Sequence, residues 1–332
     1  MSVESRMLGT IIGGALGDSI GTLTEFCTRA RALELYGPNP RFTLQIPPPH
    51  LTGPKLGQHE YSSPPSEWTD DTDQSLLILL SFLASGGKDI DAHDFARRIK
   101  FWVENGLRCL GRLALGVGNT VGGVVRDESF EEDPHGAAVR FWEGTNRHVA
   151  SNGAVMRTGI IGALLFQEFN GTNGVDRSMY AAVQVAATTH VDPRCLVSCT
   201  IVTGLVAAAL RNELSTLQDF DALVQRAINF IQSPPLQRKP NAYTSIPLAN
   251  DQIEDLRRHV YAENLEDLRL DSKGGNGFTY ASLGAGTWAL RQALSASPDE
   301  RNSLFERCIT DVTMQGGDAD TYVDVPFLDC TT

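Results

Sequence analysis

Apolar residues recur along this chain at the spacing of helices rather than strands. Over residues 4–20, Met7, Leu8, Ile11, Ile12, Ala15, Leu16 and Ile20 form one broad apolar stripe, which predicts a helix. The same reading predicts helices over 71–85, 91–104, 107–113, 152–168, 175–188, 192–212, 217–232, 249–262, 278–295 and 299–313. Two starts are chemically marked. Asp192-Pro193 places an N-cap before a proline at the first helical position, and Ser297-Pro298-Asp299-Glu300 puts proline and acids in a first turn. No alternating β-branched run bounded by turns is long enough for a strand. The pattern predicts an all-α protein, with too much helix for a simple four-helix bundle, and one domain over 1–332.

Proline interrupts the pattern twice, at 38–66 and 233–248, and both stretches are expected to be loops. A loop as long as the first is uncommon in a compact domain and is often functional. The first helix carries Gly13, Gly14, Gly17 and Gly21, each costing about 1 kcal/mol against alanine, which a close approach to another helix or to a ligand would offset. Asp18 lies among them, and Glu25 follows the expected helix end.

The net charge of −12 argues against general binding to a nucleic-acid backbone, which calls for a basic face. Helix N-termini or metal ions could still supply local positive potential to a phosphorylated ligand. The six cysteines contain no Cys-x-x-Cys, and Cys195 and Cys199 share an apolar helix face, so core positions in a reducing intracellular compartment, the cytoplasm first, are expected. The N-terminus lacks a basic start followed by an apolar run, and polar residues interrupt the apolar segments; neither a leader nor a membrane span is expected.

The stretch Ser66-Glu67-Trp68-Thr69-Asp70-Asp71-Thr72-Asp73-Gln74 runs directly into Leu76–Leu80. Its three neighbouring carboxylates repel one another at neutral pH. A helix start, with Thr69 as cap and the acids facing the positive end of the macrodipole, accounts for one or two of them. A hard-cation site is the other reading, since carboxylate and hydroxyl oxygens are what Mg²⁺ or Mn²⁺ selects, and the stretch alone leaves both open. A second acidic pair stands in Gly316-Gly317-Asp318-Ala319-Asp320-Thr321. A glycine helix stop with solvated acids is one reading of it. A phosphatase-type nucleophile is rejected, because no buried strand precedes it and only eleven residues follow Thr321. Two Asp-plus-Thr clusters far apart in sequence fit a shared metal site better.

Between them lie glycine-rich polar segments at helix boundaries: Gly116-Val117-Gly118-Asn119-Thr120, Ser151-Asn152-Gly153-Ala154 and Gly274-Gly275-Asn276-Gly277-Phe278. Backbone N–H groups at such starts can cradle a diphosphate, although Gly-Asn pairs are also ordinary turn chemistry. His190, in Thr188-Thr189-His190-Val191-Asp192-Pro193, is alone more readily a structural histidine than a ligand contact, and the other histidines have no zinc-like spacing.

In this order, Gly14-Ala15-Leu16-Gly17-Asp18…Glu25-Phe26, Trp68-Thr69-Asp70-Asp71-Thr72, Ser151-Asn152-Gly153-Ala154-Val155-Met156-Arg157, Thr189-His190-Val191-Asp192-Pro193-Arg194 and Gly316-Gly317-Asp318-Ala319-Asp320-Thr321 resemble the ADP-ribosylglycohydrolase family, across about residues 8–321. The resemblance implies a compact orthogonal bundle of many helices with a binuclear Mg²⁺ (or Mn²⁺) centre in a cleft. It implies metal ligation by Glu25, Thr69, Asp70, Asp71, Asp318, Asp320 and Thr321, and substrate contacts from Gly116, Gly118, Ser151, Asn152, Gly153, His190 and Phe278. The implied reaction is hydrolysis of the bond joining ADP-ribose to a protein side chain or small molecule, with Glu25, Asp70 and Asp71 as candidate catalytic groups. Asp73 matches no family position and is left as a first-turn acid. The segment after Thr321, with Pro326, departs from the family's final helix, so a shortened C-terminus is expected to bear on Asp318, Asp320 and Thr321. The alternative it raises is a member that binds ADP-ribose, or serves structurally, without turnover. A monomer without nucleic-acid or membrane partners is expected.

Overall fold

The computed structural model describes residues 2–44, 67–233 and 246–324. Most helices begin where a short polar side chain satisfies first-turn N–H groups. In α1 (Val3–Gly21) and α2 (Arg29–Tyr36) the caps are Ser2 and Thr28. Thr69 opens α3 (Asp70–Ala84) and Asp91 opens α4 (Ala92–Asn105). Next come α5 (Asn119–Val125), α6 (Pro134–Gly144, capped by Asp133), α7 (Val155–Leu165) and α8 (Gly174–Ala186, capped by Asn173). Asp192 caps α9 (Pro193–Leu210) ahead of its proline, as the sequence predicts, and a Thr216/Asp219 capping box opens α10 (Leu217–Gln232). The series closes with α11 (Asn250–Val260), α12 (Thr279–Ser295), α13 (Pro298–Thr313) and α14 (Ala319–Asp324). Among the described residues there are isolated β-bridges and no strands, so the fold is all-α.

The main core forms around α9, which packs on α7, α8 and α10. By length and apolarity α9 could cross a membrane, but 89% of it is buried inside the molecule, as a core helix would be. A Cβ on Gly162 of α7 would lie 2.4 Å from the Thr203 carbonyl oxygen of α9, so glycine is what permits this helix pair to approach. A second cluster, including Ile20, Leu268, Ala285, Leu304, Ile309 and Tyr322, joins the end of α1 to α12, α13 and α14. Glycine has the same use at the α1–α14 crossing. A Cβ on Gly21 would meet the Asp320 backbone at 2.3 Å, so the close approach expected of the glycines in α1 occurs there.

Several expectations need correction. The helix predicted over 107–113 is a 3-10 turn, Arg108–Leu110, inside a Leu107–Arg112 bridge. Gly106 and Gly111 stand at φ +66° and +68°, which right-handed helix does not allow. Helix α7 begins at Val155 and not at 152, because Ser151 and Asn152 pair with the 277–278 turn instead. Helices α2, α5, α6 and α14 were not expected. The loops expected at 38–66 and 233–248 fall largely on 45–66 and 234–245, and the end of the chain on 325–332, outside the described residues.

Candidate active site

The site assembles where the end of α1, the start of α3 and the start of α14 meet. Asp18, which sequence reasoning left without a role, organises it. Its buried carboxylate accepts the Thr69 N–H (2.9 Å to each oxygen), the Thr72 N–H (3.1 Å) and the Thr72 hydroxyl (2.6 Å). A side chain of α1 thus caps α3, alongside the local cap from Thr69 Oγ1 to the Asp71 N–H. Burial pushes the Asp18 pKa up to about 6 against the pull of these hydrogen bonds.

Opposite it, the chain turns through Gly316 and Gly317, at φ +70° and +71°, where Cys27 and Leu270 carbonyls leave no room for a Cβ. Phe26 N–H donates to the Gly317 carbonyl and Gly317 N–H to the Cys27 carbonyl, which ties the Glu25 turn to the Asp318–Thr321 segment. The result is that Glu25, Asp318 and Asp320 each offer a carboxylate oxygen within 4.8 Å of the others. Asp70 and Asp71 stand close enough to be felt. Burial raises the Asp70 pKa well above the ordinary value, followed by the charges of Asp18, Asp318 and Glu25. Burial also raises Asp320, with Glu25, Asp318, Asp71 and Asp18 adding to it. Asp318 is raised by burial, though hydrogen bonds with Asn152, Asp320 and Thr321 moderate the effect. Thr69 and Thr321 are buried beside these acids.

This donor set fits a hard divalent cation. It is all oxygen, strongly anionic and mutually repulsive, and Asp320 Oδ1 is buried with no hydrogen-bond partner among the described residues. Gly116, at φ +73°, presses on the same group: a Cβ there would lie 2.4 Å from Asp70 Oδ1. Of the seven predicted metal-site residues, Glu25, Asp318 and Asp320 form the tight group, Asp70 and Asp71 lie within electrostatic reach of it, and Thr69 and Thr321 hydrogen-bond to Asp71 and Asp318, respectively.

The predicted substrate contacts divide. Asn152 reaches the acids directly, its Nδ2 donating to Asp318 Oδ2 at 2.7 Å. Ser151 Oγ lies 2.9 Å from His190 Nε2 and 2.8 Å from Thr120 Oγ1, and a Cβ on Gly153 would touch the His190 ring at 3.2 Å. These form a neutral polar wall beside the acids. Gly118 sits further out, exposed, as the N-cap of α5. Phe278 precedes α12, bridged to Ser151, with its ring against His259 and Tyr280 at 5.7 and 5.3 Å.

Asp73 is a first-turn acid of α3, as the sequence predicts, but its carboxylate also has buried partners. It is fully buried, accepting the Trp68 indole N–H at Oδ1 (2.8 Å) and the Trp102 indole N–H at Oδ2 (2.9 Å), with Arg112 3.8 Å away. It anchors the entry into α3. Sequence reasoning also missed Gln74, Thr189 and Arg157 as site residues. All three stand inside stretches quoted above, but nothing in those stretches gives them a role.

A family model described as ADP-ribosylglycohydrolase matches residues 1–323. The chain is 29% identical over 150 residues to an ADP-ribosylarginine hydrolase of Serratia proteamaculans, a match covering 45% of this chain and 34% of that protein. It is 28% identical over 156 residues to an ADP-ribosyl-[dinitrogen reductase] glycohydrolase of Rhodospirillum rubrum, covering 47% of this chain and 43% of that one. These matches thus span less than half the length of either curated relative. A solved structure titled as an ADP-ribosylglycohydrolase-related protein complex superposes with a TM-score of 0.59 at 21% identity, over 99% of this chain and 88% of the other, a likeness of fold. With its all-α fold and near-complete match to the family model, the chain belongs to the ADP-ribosylglycohydrolase family.

Proposed function

We propose that this protein hydrolyses the N- or O-glycosidic bond between ADP-ribose and a protein side chain or small molecule, using two Mg²⁺ ions, with Mn²⁺ able to replace them. The observation that carries this reading is the convergence of Asp70, Asp71, Asp318, Asp320 and Glu25, from opposite ends of the chain, beside the Ser151–Asn152–His190 wall. Thr69, Asp70, Asp71, Asp318, Asp320, Thr321 and Glu25 would hold the ions. Bound there, the metal supplies Lewis acidity toward ribose hydroxyls and toward the attacking water.

The chain's own groups do the rest. Hydrolysis adds water to the anomeric carbon, breaks its bond to nitrogen or oxygen, and returns a proton to the leaving group. Glu25 is the acid of this cluster in the turn after α1, partly exposed, and suits the role of taking the proton from water. Asn152 fixes Asp318 by its amide, and Asp18 fixes the start of α3, so the carboxylates are held before substrate arrives. Ser151 and Gly153, beside His190, would offer neutral donors to the diphosphate. A monomer acting inside the cell completes the proposal.

The test is to incubate the protein with Mg²⁺ and peptides ADP-ribosylated on arginine or serine, and to measure free ADP-ribose. Release that stops with EDTA supports the reading. Tight ADP-ribose binding without turnover on either linkage would replace it with a binding protein.

A further inference from the structure

An unbroken line of side-chain hydrogen bonds joins the acidic half of the site to its neutral wall. Gln74 Nε2 donates to Asp70 Oδ2 at 2.8 Å, and Arg157 Nη1 donates to Gln74 Oε1. Arg157 Nη2 donates to Thr189 Oγ1 at 2.6 Å, which lies 2.7 Å from His190 Nδ1. His190 Nε2 then meets Ser151 Oγ at 2.9 Å, and Ser151 meets Thr120 at 2.8 Å.

Counting protons gives this line a direction. A guanidinium only donates, so Gln74 must turn its carbonyl toward Arg157 and its amide NH₂ toward Asp70. Thr189 Oγ1 likewise accepts from Arg157. Its own hydroxyl proton has one acceptor among the described residues, His190 Nδ1. A proton on Nδ1 would leave the Thr189 hydroxyl as a buried donor with nothing to meet, an arrangement folded proteins avoid. Nδ1 is therefore the acceptor, and Nε2–H donates to Ser151. The Ser151 and Thr120 hydroxyls share two protons, and one suffices to join them. The other is left over for a ligand oxygen.

We propose that Arg157 is a positioning residue: through Thr189 it locks His190 as the Nε2–H tautomer, so that the Ser151/Thr120 pair offers one hydroxyl donor to an acceptor oxygen of the substrate, and through Gln74 it orients the Asp70 carboxylate. That the oxygen belongs to ADP-ribose rests on the function proposed above; the direction of the relay does not. His190 acts here as a fixed neutral donor and not as the acid or base of the reaction. Burial, and then the nearby Arg157 charge, hold its pKa well below the usual histidine value. Burial also lowers Arg157, to about 10, which leaves it charged at neutral pH. Arg157 is fully buried, with the Phe95 ring 4.9 Å from its guanidinium and no carboxylate in contact among the described residues. A buried cation surrounded by neutral groups is a costly way to fill space.

The test reads the tautomer directly. In full-length protein labelled with ¹⁵N-histidine, the His190 signals, assigned by their loss in His190→Gln, should show an unprotonated Nδ1 and a protonated Nε2 at pH 7. Thr189→Val removes the hydroxyl that enforces this and should weaken ADP-ribose binding about tenfold. Thr189→Ser should restore affinity and tautomer, and Arg157→Lys, which keeps the charge but cannot span both acceptors, should fall toward the valine variant. A protonated Nδ1 in the wild-type protein, or wild-type affinity in both Thr189→Val and Arg157→Lys, overturns the proposal. An Nε2–H tautomer in a protein that cleaves no linkage would leave the relay standing and remove the hydrolase reading.

Discussion

Gly116 and Asp73 show how single residues hold the site's carboxylates. Gly116 combines a left-handed φ of +73° with a position where a Cβ would meet Asp70 Oδ1 at 2.4 Å. Gly116→Ala should therefore cost about 1–2 kcal/mol in a urea unfolding series from the backbone alone. It should also weaken Mg²⁺ binding by displacing Asp70, measured by calorimetric titration. Asp73 works through two indoles. Asp73→Ala should cost about 1–3 kcal/mol, because it strands the Trp102 N–H in the core. Asp73→Asn, which keeps one acceptor oxygen, should cost less in the same unfolding experiment. In sequence Asp73 looks like its neighbours Asp70 and Asp71. What distinguishes it is Trp102, on another helix, and such a partner leaves no local mark.

At the scale of elements, the site depends on one helix capping another. Asp18 of α1 satisfies the Thr69 and Thr72 N–H groups at the start of α3. Asp18→Ala, compared with wild type at saturating Mg²⁺, should lower unfolding free energy by about 1–3 kcal/mol. A value near zero in denaturant titration would mean that Thr69 alone caps α3. The long helices were legible from their apolar period, and α9 and α13 also from proline at their first position. Helix α5 was hidden by its length and by Gly122 and Gly123, and α14 by following Gly316-Gly317 so closely. Helix α6 did carry a readable signal in Asp133-Pro134, the same cap-and-proline pair that marks α9. The Asp-and-Thr clusters at 69–71 and 318–321 could be read as a cation site because carboxylates and hydroxyls are distinctive, whereas Glu25 came only from the family resemblance and Asp18 had no role assigned. Arg157 and Gln74 were not legible, since their roles follow from a relay that crosses three helices.

For the whole molecule, burying these acids, and for Asp70 and Asp320 also gathering them, makes their ionised forms costly in the fold. Asp18 rises to about 6, and Asp70 and Asp320 rise well above the ordinary value, whereas unfolding returns each to about 4. Above about pH 4 the native state therefore binds more protons than the unfolded state, and stability must fall as pH rises through the raised values. The melting temperature of EDTA-treated protein should drop between pH 5 and 7.5. Saturating Mg²⁺ should raise it, more at pH 7.5 than at pH 5, because the cation compensates charge that protons no longer neutralise. A metal-free melting temperature that is flat over this range would contradict the clustering.

A metal site shared by the two ends of the chain is tested most directly by ADP-ribose release under saturating Mg²⁺, comparing wild type with Asp70→Ala and Asp320→Ala. Changes one shell out from a metal typically cost about 10- to 100-fold, so loss of a direct ligand should cost more than roughly a hundredfold. Both variants should fall by that much, although their acids lie 250 residues apart in sequence (320 − 70). Full activity in Asp320→Ala, alongside loss in Asp70→Ala, would contradict a centre built from both.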